Sequence, residues 1–126
     1  MKRPTLLVLI VSLLTLTACS DGMICTASVE PGVVVEIRDA VDDVPLAAGA
    51  AGWVREGTFN DSLRAYGVTE GGTLVSRAAA DEREGTYAVE VSHPGYATWA
   101  QSGVRVKSDG CHVETVRLQA RLVRAP

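Results

Sequence analysis

From Val33 the chain alternates: Val33, Val35 and Ile37 fall on one side, Val34, Glu36 and Arg38 on the other. This period of two predicts a strand with one buried face. The alternation returns at Tyr87, Val89 and Val91 against Ala88, Glu90 and Ser92, and again near the end, where a strand is predicted over 112–122 with Val116, Leu118, Ala120 and Leu122 facing in and Arg117, Gln119 and Arg121 facing out. Between these runs the pattern is weaker. Strands are predicted around Trp53–Phe59 and Ser62–Val68 with Asn60-Asp61 as the turn between them, over Thr73–Ala79, and over Tyr96–Gln101 and Val104–Lys107 with Ser102-Gly103 interrupting. Asp39–Pro45, Glu70-Gly71-Gly72 and Pro94-Gly95 read as turns, and Ser108-Asp109-Gly110 as a hairpin turn. Leu46–Gly52, which follows Pro45 and contains Gly49 and Gly52, reads as a loop or an edge segment. About seven short strands, spaced by roughly 8–12 residues and without a long helical stripe, predict an all-β chain, a single Greek-key β-sandwich.

The first residues follow another pattern. Met1, Lys2 and Arg3 precede an apolar run through Leu6–Leu14, about a dozen positions where a membrane-spanning helix needs roughly 20. The segment Leu16-Thr17-Ala18-Cys19 that closes the run resembles the bacterial lipobox. The resemblance implies that residues 1–18 are an export signal and that Cys19 receives a diacylglyceryl group and becomes the first mature residue. An ordinary signal peptide followed by a free cysteine is the alternative. Ser20 stands where an aspartate would resemble the inner-membrane retention signal of enteric bacteria, so in a host with two membranes the outer one is expected. The implied organisation is a signal over 1–18, a lipidated tether over 19–31 and a sandwich domain over 32–126.

Charge and cysteine count narrow the function classes. The chain has 12 basic and 15 acidic residues, and removal of Lys2 and Arg3 with the signal leaves a formal −5 over the remaining 108. No basic stripe is present, so nucleic acid is not an expected partner. Of three cysteines, lipidation of Cys19 would leave Cys25 and Cys111 as a pair in an oxidising compartment, most simply a disulfide. The competing reading, a metal or redox pair, has no Cys-x-x-Cys spacing and only His93 and His112 as further ligands.

Within the mature part, Gly85-Thr86-Tyr87-Ala88-Val89-Glu90-Val91 followed by Pro94-Gly95-Tyr96 resembles the signature of the carboxypeptidase regulatory-like, or transthyretin-like, domain. Val35–Asp39 with Pro45-Leu46-Ala47 is similar to the first strand and following turn of that family, and Val104-x-Val106 and Val116-x-Leu118 fit its later strands. The resemblance implies a β-sandwich that serves as a folding, adhesion or binding module without catalysis of its own. Residues 49–80 are longer and more charged than the family's compact version.

Catalytic constellations find little support in residue order. The Tyr-Arg-Gly-Ser ending of transthyretin-fold hydroxyisourate hydrolases has no counterpart in Arg121–Pro126, and no histidine opens the first strand. His93 and His112 with Tyr66, Tyr87 and Tyr96 supply the residue types of a non-haem iron site but no diagnostic spacing; His93 is expected at a strand end and His112 on an exposed edge. Asp81, Glu82 and Glu84 around Arg83 read as a solvated charged loop. Ser62 and Ser92 have no identifiable histidine–acid partners, and no phosphate-binding glycine loop is present. No catalytic residue, metal or cofactor is therefore expected. The expectation is a non-catalytic envelope lipoprotein, anchored to the membrane through Cys19, with a structural or protein-interaction role towards an envelope protein. The alternative is a module for glycan or peptide that uses exposed aromatics among Tyr66, Trp53 and Trp99; a transthyretin-fold hydrolase comes third. Tyr96 and Trp99, three apart, are expected to face opposite sides of one strand.

Overall fold

A computed structural model describes residues 22–126; the signal over 1–18, Cys19 and the start of the tether lie outside the described residues. Among the described residues there are eight strands: β1 (Pro31–Asp39), β2 (Ala51–Glu56), β3 (Phe59–Ser62), β4 (Arg64–Val68), β5 (Leu74–Asp81), β6 (Gly85–Ser92), β7 (Trp99–Val106) and β8 (Val116–Leu122). They make two four-stranded sheets, β4-β5-β1-β8 and β3-β2-β6-β7. The expected all-β sandwich is thus present, with one strand more than the approximate seven.

The extra strand comes from the middle of the chain. The Asn60-Asp61 pair, expected as a turn, lies inside β3, while the turn falls at Gly57-Thr58, where Glu56 pairs with Phe59 and Gly57 takes φ +55°. That backbone region favours glycine over any residue with a Cβ, which outweighs the weaker turn preference of Asn and Asp. Both side chains have other work: Asn60 accepts from Arg55, and the Asp61 carboxylate accepts from the Ala80 amide at 2.8 Å. Leu63 then turns the chain from one sheet to the other, its amide bonded to Gly52 O, so the expected single strand over 62–68 becomes β4 alone. Gly52, expected in a loop or an edge segment, sits in β2 beside Glu90 O, which leaves no room for a Cβ.

Two later expectations also change. Ser102-Gly103 does not interrupt the strand but forms a bulge within β7: Tyr87 pairs with Val104 and Val89 with Gln101, leaving one residue opposite two, with Gly103 at φ +68°. The turn at 108–110 closes a short loop bridged from Ser108 to Val113, but it joins strands of different sheets rather than a hairpin. The last strand therefore begins at Val116, not at 112, and runs parallel to β1, Val33 pairing with Val116 and Asp39 with Leu122.

Between the sheets, Val33, Val35 and Ile37 meet Val54, Tyr87, Val89, Val91, Leu118, Ala120 and Leu122, all buried. Val34, on the other face of β1, is also buried, at 2% exposure. It lies between Ala78 and Arg117, and the Arg64 guanidinium reaches across to Ala78 O. A central strand flanked by long arginine stems loses the solvent face that strict alternation assigns to it.

Candidate functional site

The three aromatic candidates do not converge. Tyr66 lies on β4 of the first sheet and is 44% exposed. Trp53 lies on β2 of the second sheet, where inward-facing Val54 directs Trp53 and Arg55 outward, and the Arg55 guanidinium stacks 3.5 Å from its ring centroid. Trp99 opens β7 opposite Val91 and packs, half-buried, on the core. Tyr96 precedes β7 and is held by an isolated bridge to Arg124, so strand alternation does not relate it to Trp99; both rings are partly buried against the same core, contrary to the expected opposite facing.

The polar chemistry gathers at the two ends of β1. At its start, Cys25 and Cys111 are joined by a disulfide, Cα atoms 5.2 Å apart and 86 residues apart in sequence. The residue after each cysteine meets its counterpart: Thr26 Oγ1 lies 2.9 Å from His112 Nε2, and the other ring nitrogen, Nδ1, lies 2.6 Å from Glu82 Oε1. The same Glu82 carboxylate accepts from the Glu30 amide at 2.8 Å and from the Val113 amide at 3.3 Å. These bonds, the Glu30 amide first and His112 next, hold the Glu82 carboxyl below its ordinary value, and Glu82 in turn raises the His112 imidazole above 6.5. His112 is therefore a half-buried partner rather than an exposed edge residue. The charge run is solvated as expected, its three acids exposed, but it is also paired. Glu82 clamps the loop that carries His112, Asp81 pairs with Arg64 at 2.6 Å, and Arg83 pairs with Glu56 at 3.0 Å while lying 3.9 Å from the Phe59 ring. Ala80 and Glu82 adopt φ +59° and +49°, left-handed conformations that cost energy in non-glycine residues.

Two adjoining cavities open at this end. One, of about 360 Å³, is lined by the disulfide, Thr26, Ser28, Glu82 and His112. The other, of about 460 Å³, is lined by Glu56, Thr86, Arg105 and Lys107, and both share Glu84 and Ser108.

At the far end of β1, Asp39 is buried, with Oδ1 accepting from the amides of Val41 and Asp42 and Oδ2 accepting from Tyr96 Oη at 2.7 Å and Arg124 Nε at 2.9 Å. The Tyr96 hydroxyl above all holds this carboxyl far below the usual carboxylate range. The cluster ties the segment after β8 to the sandwich. His93 sits at the end of β6 as expected, its ring edge-on to Tyr96 at 5.1 Å. Among the described residues no group of three or more His, Cys, Asp or Glu side chains is placed to hold a metal ion.

Sequence reading missed Thr26, Glu82 and Asp39 as site residues. The pair Thr26 and His112 is 86 residues apart and Asp39 and Arg124 85 apart, and nothing local marks either. The available signal was positional: once Cys25 and Cys111 are paired, the residues following each must be neighbours.

The molecule is thus an all-β sandwich of two four-stranded sheets with a disulfide at one end. No protein-family model matches the chain, and no curated protein matches it either.

Proposed function

We propose that the chain is a cell-envelope lipoprotein, anchored to the outer membrane through acylated Cys19, whose sandwich is a structural or protein-interaction module of the carboxypeptidase regulatory-like kind. The observation that carries this reading is the Cys25–Cys111 disulfide. It belongs to an oxidising compartment, and it uses two of the three cysteines, leaving Cys19, the residue of the lipobox-like motif, as the one without a partner assigned to it. The bond also lies at the end of the sandwich from which the tether leaves, as expected of a module held close to its anchor. Tyr66 and the two tryptophans, spread over two sheets, give less support to a sugar-stacking role.

The test is fractionation and intact mass of the exported protein. Wild type partitions with membranes and carries acyl mass on Cys19, whereas Cys19→Ser appears in the soluble fraction. Unchanged membrane association of Cys19→Ser overturns the reading.

A further inference from the structure

The arrangement of Thr26, His112 and Glu82 goes beyond an interaction module. A hydroxyl, an imidazole and a carboxylate stand in series: Oγ1 of Thr26 at 2.9 Å from Nε2, and Nδ1 at 2.6 Å from Oε1 of Glu82. A carboxylate accepting at Nδ1 fixes the proton there, so neutral His112 presents an unprotonated Nε2 to the threonine hydroxyl. That is the order of groups that activates an oxygen nucleophile: a base within hydrogen-bond reach of the hydroxyl, oriented by a third group. Three further observations converge on it. The groups line one cavity of about 360 Å³. Glu82, which orients the ring, is held in a left-handed conformation at φ +49°. And the disulfide, joining the residues just before Thr26 and His112, keeps the hydroxyl beside the base although its segment is exposed.

We propose that Thr26 is a base-activated nucleophile for acyl transfer from small carboxylic esters. Thr26 Oγ1 attacks the ester carbonyl carbon and its proton passes to Nε2 of His112. The carbon–oxygen bond to the leaving alcohol breaks, and the alcohol takes that proton from the imidazolium. Water then attacks the acyl-threonine ester, giving up a proton through Nε2 to Thr26 Oγ1 and releasing the carboxylic acid. Glu82 acts through His112 as a positioning residue. The carboxylates of Glu82 and Glu84 in the cavity wall disfavour an anionic acyl group, so the substrate class is a neutral or cationic ester of short chain. Ser28, whose Oγ lies 2.8 Å from Thr26 Oγ1, shares the hydroxyl's hydrogen-bond network without reaching the base.

The experiment uses the full oxidised chain, a fluorophosphonate probe with peptide mapping, and hydrolysis of p-nitrophenyl acetate followed against pH. Expected is a label on Thr26 and a rate that rises with pH through a single ionisation above 6.5, since only neutral His112 serves as base. Thr26→Val, at an exposed position that leaves the fold intact, loses the label and lowers the rate by about 10²-fold or more, the scale of general-base assistance. Thr26→Ser retains both. Glu82→Gln lowers the apparent ionisation of the rate profile, and an unchanged profile overturns the positioning role given to Glu82. A Thr26→Val rate equal to that of wild type, or a label found on Ser28 instead, overturns the proposal.

Discussion

Glu82 and His112 attract one another most when one is ionised and the other protonated, and the sign of the resulting pH dependence follows from their shifts. His112 is raised above 6.5, so its contribution to stability is complete below about pH 6.5 and is lost as pH rises through the folded value. Glu82 is lowered from 4.5, so its contribution is present above about pH 4.5 and is lost as pH falls through the folded value. The denaturation midpoint should peak between these limits and decline as pH rises through the folded His112 value, and in His112→Asn the alkaline decline should vanish. Urea titrations at a series of pH values decide the matter; an unchanged slope in His112→Asn speaks against the pair. Asp39 is the other ionised group of consequence. Its carboxylate accepts four hydrogen bonds in a buried position, and Asp39→Ala leaves Tyr96 Oη and Arg124 Nε without their acceptor, while Arg124 keeps its pair with Asp42. This variant should melt several degrees lower at neutral pH, with the gap to wild type closing in strong acid as the native carboxyl is protonated.

At the level of strands, what sequence reading recovered depended on how apolar the residues were. β1, β6 and β8 are legible because most of their inward positions are occupied by valine, isoleucine, leucine and tyrosine, with Ala120 among the few exceptions. The region over 46–82 is not, because many of its buried core positions are filled by alanine, as at Ala47, Ala50, Ala79 and Ala80, with Val54 and Leu63 the larger exceptions. Small residues carry almost no periodic signal, although they pack as tightly as large ones. The site was less legible than the fold: the Cys25–Cys111 pair followed from cysteine arithmetic, whereas Glu82 and Asp39 act through partners that only the folded chain brings together. Two substitutions test the packing. Ile37→Ala removes a fully buried side chain from the central strand β1 and should cost ~2–5 kcal/mol in chemical denaturation. Tyr87→Phe keeps the ring but removes the hydroxyl that donates to Arg83 O at 2.8 Å, a corner of the kind found in other β-sandwiches. It should cost ~1 kcal/mol, and a neutral result there means that water replaces the hydroxyl.

For the molecule as a whole, the disulfide closes an 86-residue separation that spans seven of the eight strands, all but β8. Reduction should lower stability by ~2–5 kcal/mol, as expected for so long a loop, measurable as a shift in the denaturation midpoint of Cys25→Ser/Cys111→Ser. For the proposed anchor at Cys19 it also sets reach: from Cys19 to Cys25 the chain can extend at most ~20 Å, where a chain free as far as Pro31 could extend ~40 Å. The same bond changes how the protein responds to force. Tension applied at the proposed anchor and resisted beyond β8 crosses from Cys25 directly to Cys111, so β1–β7 cannot be unravelled from that end, and the load falls on β8 and its ladder to β1. Stretching the oxidised chain between Gly22 and Pro126 should release only the few residues outside the loop, whereas reduction should add ~28 nm of contour length. A chain of this design lengthens little under oxidising conditions and becomes a long, compliant link after reduction.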